Sequence, residues 1–186
     1  HHTLLVQGDP QIKNYGVDGS AEAYRSVVIP DMIRMRSTIT TPCYGINLGD
    51  LVYNDMNVYN AYIDNTGRVN TTTFNVIGNH DHVQNAATDR EAVKKFEEYL
   101  GPTCYSVELG ELHFIFLDNI VMKNNTLDPN NVGAYSDGLS DEAYSWLCND
   151  LKYVDKDRTV MLCAHSSMFR KPDSEPADRD RHGPDY

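Results

Sequence analysis

The sequence predicts a layered α/β protein whose first sheet is largely parallel. Short apolar runs stop at Gly, Asp or Asn, and stretches with helical spacing of apolar residues lie between them. The chain has 186 residues, of which 40% are hydrophobic, and this is enough for one folded domain with a real core. We therefore expect strands and helices to alternate through at least the first half of the chain.

The first half predicts the order βαβαβ. Thr3 to Gln7 is an apolar run stopped by Gly8-Asp9-Pro10, and Cys43 to Leu48 is a second run ended by Gly49-Asp50. Between them, Ser20 to Met35 has helical spacing, and Pro30 inside it predicts a kink or two abutting helices. A second helix from Asp55 to Asn65 and a strand from Thr72 to Ile77 follow before Gly78.

The second half predicts a helix, a hairpin, another helix and a last strand. Thr88-x-x-Glu91 is a capping box that opens a helix to Leu100, and Gly110-Glu111 is a two-residue turn between strands. The stretch 119–138 is crowded with Asn, Asp and Gly, which predicts a long surface loop. The remaining elements are strands Cys104 to Leu109 and Leu112 to Leu117, a helix from Ser140 to about Val154, and a strand from Thr159 to Ala164.

Composition excludes several classes of function. The net charge of -11 repels phosphate backbones and anionic lipids, so we expect no nucleic-acid binding and no broad attraction to membranes. No apolar run approaches the roughly 20 residues that span a bilayer, and the four cysteines form no C-x-x-C pair. The leading His1-His2 resembles the remnant of a purification tag, so a signal peptide could have been removed and the compartment stays open.

Four predicted strands end at a polar residue that can bind metal or substrate: Asp9, Asp50, Asn79 and His165. Taken singly, each is typical of a turn, a loop cap or a solvated histidine. Because ligand sites in open α/β sheets gather at the carboxyl ends of strands, the four are expected to meet in space. Their mixture of oxygen and imidazole donors suits divalent metals such as Mn, Fe or Zn.

These strand ends resemble the ordered blocks of the calcineurin-like metallophosphoesterases over about Leu4 to Phe169. The resemblance implies a four-layer αββα fold, in which a β-sandwich of mixed sheets is flanked by helices. It also implies a metal-dependent phosphoric ester hydrolase, either a phosphomonoesterase or a phosphodiesterase. The matching blocks are Asp9-Pro10-Gln11, Gly49-Asp50-Leu51-Val52-Tyr53, Gly78-Asn79-His80-Asp81 and Ala164-His165-Ser166.

The resemblance further implies a dinuclear metal centre. Asp50 bridges the two ions, Asp9 binds one of them, and Asn79 and His165 bind the other, while a bridging hydroxide attacks phosphorus. Gln11 stands where the commonest first block has a histidine, as in an Asp-Pro-Gln subgroup, so it binds weakly, binds through water or only supports Asp9.

Three consecutive residues after Asn79 are candidates for catalysis and substrate binding. His80 is implied as the general acid that protonates the leaving oxygen, and with Asn79 as a contact to the substrate. Asp81 is expected to orient the loop or the imidazole, or to serve a structural turn. His82 is a candidate for substrate contact, but a solvent-facing loop position is the expectation for it. Elsewhere, His113 is expected to be a hydrogen-bonded sheet histidine.

No Gly-His-x-His block follows His165, which the family uses to complete both metal sites. We therefore expect residues 1–171 to be a metallophosphoesterase domain lacking its C-terminal part, with a flexible polar tail over 172–186. An incomplete domain predicts a partner chain, as a dimer or a domain swap. The alternative function is a catalytically impaired fragment or a non-catalytic phosphate-binding module. The class of phosphorylated substrate cannot be read from these residues.

Overall fold

The computed structural model describes residues 1–13, 20–123 and 133–168. Its first sheet has the order β1-β2-β3, and both strand pairs are parallel, as predicted. Parallel strands place their carboxyl ends at one edge of a sheet, so the turns that follow these strands lie side by side. The strands are β1 (Thr3–Gln7), β2 (Cys43–Asn47) and β3 (Thr72–Asn75).

Helical segments pack against one face of this sheet. Pro30 has no backbone N–H to donate, and it lies just after a π-helical turn over Tyr24–Val28 that joins α1 to α2. The predicted kink or helix pair is thus a continuous helical stretch with a π turn inside it. Helices α2 (Ile29–Ser37), α3 (Tyr59–Gly67) and α5 (Lys94–Leu100) contribute side chains to the core on this side, while α1 (Ser20–Ala23) precedes the π turn and α4 (Asp89–Ala92) precedes α5. Leu5, Ile29, Tyr59, Tyr62 and Phe96 are buried in the core they share with the sheet.

A second sheet has the order β4-β5-β8. The predicted hairpin is present, since β4 (Tyr105–Leu109) pairs antiparallel with β5 (Leu112–Phe116), and β8 (Thr159–Cys163) pairs parallel with β5. A second apolar core takes side chains from both sheets, including Ile46, Phe114 and Phe116. The first sheet therefore has apolar packing on both faces, which fixes the position of its strand ends.

The long loop expected over 119–138 is wrong in part. Ile120–Met122 forms β6 and pairs antiparallel with β7, Tyr135–Asp137. Burial explains the strand, because Ile120 and Met122 pack with Ala92 in a small core of their own. The turn-forming composition of the neighbouring residues hid this apolar triplet. Residues 124–132 lie outside the described residues.

The last helix, α6 (Asp141–Asp150), begins where the sequence predicts, and the Ser140 hydroxyl accepts from the backbone N–H of Ala143 at 3.2 Å. The expected domain boundary at 171 and the polar tail over 172–186 fall outside the described residues. Within the described part of the chain, no helix is long and apolar enough to cross a membrane.

Candidate metal centre

Three strand ends bring potential metal ligands together. Asp9 follows β1, Asp50 follows β2 and His165 follows β8, and each offers one ligand atom within 4.8 Å of the others. Asp50 is buried, His165 is half-buried and Asp9 is exposed, so the group opens to solvent on the Asp9 side. Side chains far apart in the sequence thus meet at the edge where the parallel strands end.

The hydrogen bonds of His165 define what this group can bind. Its Nδ1 lies 2.8 Å from the carbonyl oxygen of Leu48, and a carbonyl can only accept, so Nδ1 carries the proton. In the neutral ring, Nε2 then presents a lone pair. That atom lies 3.2 Å from Asn79 Oδ1 and 3.4 Å from Asp50 Oδ1. Three electron-pair donors converging without a hydrogen between them match the needs of a divalent cation.

Gln11 lies beside the Asp50 carboxylate. Its Nε2 donates to Asp50 Oδ2 at 2.9 Å, and its backbone N–H donates to the Asp50 carbonyl at 2.8 Å. The other carboxylate oxygen, Oδ1, accepts from the backbone N–H of His80 at 2.9 Å. These contacts fix the Asp50 carboxylate between the turn after β1, which contains Gln11, and the turn after β3, which contains His80.

The backbone is strained around this group. A positive φ is unusual outside glycine and costs free energy, on the order of 1 kcal/mol or more per residue. Five non-glycine residues of the described chain have a positive φ, and four of them lie in the turns that follow β1 and β2. The values are 51° for Asp9, 41° for Gln11, 52° for Asp50 and 59° for Asn54, while Asn70 with 55° lies in the turn after α3.

Two glycines allow the close approach of the turns. A Cβ on Gly78 would lie 2.2 Å from Asp50 Oδ1, and one on Gly49 would lie 2.7 Å from His165 Nδ1. Gly49 also has a φ of 95°, which other residues rarely adopt. Side chains at these positions would separate the carboxylate and the imidazole from their neighbours.

His80 lies at the rim of the group. Its Nε2 is 3.9 Å from Asp50 Oδ2, and its Nδ1 is 2.9 Å from Asn54 Oδ1. The ring stacks on Tyr53 with centres 4.2 Å apart. Partial burial lowers the pKa of His80, against the opposing effect of the Asp50 charge. With 22% of its side chain exposed, His80 can meet a molecule in solvent.

Asp81 is fully buried beneath the same loop. Its carboxylate accepts from the backbone N–H groups of Gly78 at 2.9 Å, Leu51 at 3.0 Å and Val52 at 3.1 Å, and from the Tyr59 hydroxyl at 3.2 Å. Burial raises the pKa of Asp81 to about 6, although these N–H donors oppose the rise. The side chain therefore joins the turn after β2, which contains Leu51 and Val52, to the turn after β3, which contains Gly78.

The solvent-facing position expected for His82 is wrong. The residue has no exposed surface, its Nδ1 lies 2.8 Å from the Gly78 carbonyl, and its Nε2 lies 3.4 Å from Asp118 Oδ2. Burial lowers the pKa of His82, but the Asp118 carboxylate, the Gly78 carbonyl and Asp89 together raise it overall. A buried ring cannot touch a substrate in this conformation, so the substrate contact expected for His82 does not fit the structure.

Two residues around His80 were missed by sequence reasoning. Tyr53 belongs to the second block and stacks on the imidazole, while Asn54 accepts from it. Asn tolerates the left-handed conformation better than most residues, and an Asn directly after the second block was the available signal.

Comparison with known proteins gives a likeness of structure. A dimetal phosphatase from Danio rerio matches at a TM-score of 0.59 with 15% identity, covering 88% of this chain and 69% of that one. A protein of unknown function from Aquifex aeolicus matches at a TM-score of 0.38 with 11% identity, covering 89% of this chain and 90% of that one. No family model matches the chain. No curated protein matches it by sequence. The first likeness shows that the chain shares the fold of that dimetal phosphatase.

Proposed function

We propose that this chain is a metal-dependent phosphoric ester hydrolase, acting on a phosphomonoester or phosphodiester. The observation that carries the proposal is the position of two oxygens near His165 Nε2: Asn79 Oδ1 at 3.2 Å and Asp50 Oδ1 at 3.4 Å. The dimetal phosphatase fold adds independent support, since that protein places its chemistry on the same architecture. We further propose membership of the calcineurin-like family, in its Asp-Pro-Gln subgroup.

We assign this donor set to two divalent ions. Asp9, Gln11 and Asp50 would hold one, and Asp50, Asn79 and His165 the other, with Asp50 shared. Carboxylate and amide oxygens with one imidazole suit Mn, Fe or Zn. When bound, such ions supply positive charge to a phosphate and lower the pKa of a coordinated water. The apolar core common to both sheets supports an αββα sandwich beneath this centre.

Asn79, His80 and Asp81 have separate proposed roles in binding, proton donation and loop structure. Asn79 and His80 contact the phosphate group, and His80 donates its proton to the leaving oxygen. The partial exposure of its side chain and its position beside Asp50 support this role. Asp81 holds the loop through its hydrogen bonds to the backbone and does not exchange protons with the substrate.

An assay with Mn²⁺ and an aryl phosphate tests the proposal. Wild-type chain is expected to hydrolyse the ester only when the metal is present, and a chelator should abolish turnover. Equal rates with and without metal, or equal rates for wild type and His80→Ala, would contradict it. The Asn70→Gly variant is a matched control, because Asn70 is exposed and lies in the turn after α3.

A second candidate is a phosphate-binding module without turnover. The observation that favours it is Gln11, whose Nε2 donates to Asp50 Oδ2 where an imidazole would instead offer a lone pair. Metal content by atomic spectroscopy separates the two candidates. Two ions per chain support the hydrolase, and one or none supports the module.

We also propose self-association, because Met161 and Leu162 on β8 are 38% and 49% exposed on opposite faces of that strand. A dimer or a domain swap would cover them. Sedimentation of the chain gives the oligomeric state directly, and a monomer at high concentration would contradict this part of the proposal.

A further inference from the structure

Asn119 lies between β5 and β6, and its side chain holds the backbone of Ser166. Its Nδ2 donates to the Ser166 carbonyl oxygen at 2.7 Å, and the backbone N–H of Ser166 donates to its Oδ1 at 3.1 Å. A flipped amide would place oxygen against oxygen and hydrogen against hydrogen, so only this orientation fits. With 2% of its surface exposed, Asn119 makes both bonds away from water. The amide thus gives Ser166 the pair of hydrogen bonds that an antiparallel neighbouring strand would give.

These bonds continue the contact between β5 and β8 past the ends of both strands. β8 ends at Cys163, whose carbonyl oxygen accepts from the backbone N–H of Leu117 at 2.9 Å. Further along both segments, Asn119 bonds to Ser166. His165 therefore lies between two backbone positions that are both held by the chain following β5.

Asn119 is itself held by the sheet of β6 and β7. Its carbonyl oxygen accepts from the N–H of Gly138 at 2.9 Å, and the neighbouring Ile120 pairs with Asp137. Asp137 also contacts Ser166, whose hydroxyl donates to its Oδ1 at 2.6 Å. This small sheet thus supports the turn after β8 twice, through the backbone of Ser166 and through its side chain.

The direction of the His165 ring depends on this support. Its Nδ1–H donates to the Leu48 carbonyl oxygen at 2.8 Å, and its Nε2 lies 3.2 Å from Asn79 Oδ1. The Nδ1 bond and the backbone of the turn together set where Nε2 points. Because bonds from zinc to imidazole nitrogen are only about 2.0 to 2.1 Å long, a small displacement of the turn would move Nε2 out of bonding range.

We propose that Asn119 is a positioning residue for the second metal ion, the one that His165 and Asn79 would hold, because it fixes the backbone next to His165. This inference rests on the proposed dinuclear metal centre. Asn119 acts through His165, since its own amide oxygen and nitrogen both bond to Ser166. Groups that orient metal ligands typically change metal affinity by about 10- to 100-fold when they are removed.

Three substitutions separate positioning from general destabilisation. Asn119→Ala removes both bonds to the Ser166 backbone. Ser166→Ala removes only the hydroxyl bond to Asp137 and leaves both bonds to Asn119. Tyr62→Phe deletes a buried hydroxyl that donates to Asn75 Oδ1 at 2.6 Å, in the core that α3 shares with the first sheet. Thermal unfolding reports the loss of stability in each variant, so that metal binding is compared among folded chains.

The first readout is Mn²⁺ binding by titration calorimetry. Wild type is expected to bind two ions, and Asn119→Ala to bind one of them about tenfold more weakly and the other unchanged. Ser166→Ala and Tyr62→Phe should bind both ions as the wild type does. In a chain that already carries His165→Ala, Asn119→Ala should cause no further loss, because its effect passes through the imidazole.

Several calorimetric results would overturn the inference. They are unchanged binding in Asn119→Ala, equal weakening of both ions in that variant, a further loss in the double variant, and an equal loss in either control. Each would show that Asn119 does not act selectively through His165.

The second readout needs no metal. Amide hydrogen exchange of the metal-free chain, followed by NMR, measures the protection of the backbone N–H at position 166. Wild type, Ser166→Ala and Tyr62→Phe should protect it, and Asn119→Ala should lose this protection while the amides of β8 keep theirs. An unprotected N–H at position 166 in the wild type overturns the inference, whatever the chain binds. A wild type that protects this N–H but binds no Mn²⁺ contradicts the proposed function instead, and the exchange result still establishes that Asn119 holds the turn.

Discussion

The groups around His165 and His113 each contain a histidine and two carboxylates, but the imidazoles have different hydrogen-bond partners. In β5, His113 Nδ1 lies 2.7 Å from Glu108 Oε1 and Nε2 lies 2.8 Å from Asp150 Oδ2. Both nitrogens can donate to a carboxylate, so the protonated ring completes the group. Burial alone would lower the pKa of His113, but Glu108 and Asp150 more than offset this and raise it.

At the strand ends, the imidazole of His165 has different partners from that of His113. The Nδ1–H of His165 donates to the Leu48 carbonyl oxygen, and its other nitrogen faces the Oδ1 atoms of Asn79 and Asp50. The turns that carry Asp9 and Asp50 are strained, whereas His113 lies within a regular strand. Each nitrogen of His113 is thus paired with its own carboxylate, whereas His165 has one nitrogen on a neutral carbonyl and presents the other to the group that contains Asp9 and Asp50. Hydrogen-bond saturation, rather than composition, separates them.

The largest expected effect follows from removing the shared carboxylate. Asp50→Asn should lower kcat/KM for an aryl phosphate with Mn²⁺ by more than about 100-fold, because the ligand common to both ions is lost. Asp150→Asn makes the same change in the His113 group and should leave kcat/KM near the wild-type value. Comparable losses in the two variants would remove the distinction between the groups.

A smaller effect is expected when the acid is removed without touching a proposed ligand. His80→Gln should slow hydrolysis of an alkyl phosphate by about 100-fold. An aryl phosphate should lose less, since its leaving oxygen departs without full protonation. Rates for both esters under metal saturation measure this. Equal losses for the two esters would contradict proton donation by His80.

The smallest effect concerns the ion-paired histidine. A pKa raised by folding contributes stability that is fully present below the unfolded value, about 6.5, and is lost as the pH rises through the folded value. The free energy of unfolding should therefore fall from pH about 6 to about 8, and His113→Gln should flatten this fall. Urea unfolding of metal-free chain at several pH values tests it. Identical slopes in both proteins would show that His113 is not the group responsible.

The parallel first sheet could be predicted because its strands are apolar runs that stop at turn residues. The meeting of Asp9, Asp50 and His165 followed from the rule for strand ends, together with the family resemblance. The small sheet formed by β6 and β7 was missed because Ile120-Val121-Met122 is embedded in turn-forming residues. Nothing in the local composition indicated that this triplet would be buried.

Burial and backbone conformation account for the other features that the sequence did not predict. His82 was expected at the surface because its neighbours are polar, but the Gly78 carbonyl and the Asp118 carboxylate allow it to be buried. The contact of Asn54 with His80 depends on a left-handed backbone, which a single sequence does not reveal. Such contacts between turns are fixed by tertiary structure, so spacing alone could not predict them.

Titration calorimetry with Mn²⁺ tests most directly whether the His165 group binds metal and the His113 group does not. The proteins compared are wild type, His165→Ala and His113→Gln. The account predicts that His113→Gln binds Mn²⁺ like the wild type. It predicts that His165→Ala loses affinity by at least about 10- to 100-fold, because an imidazole ligand is removed. Wild-type affinity in His165→Ala would contradict the proposed metal centre at the strand ends, and so would a wild type that binds no metal.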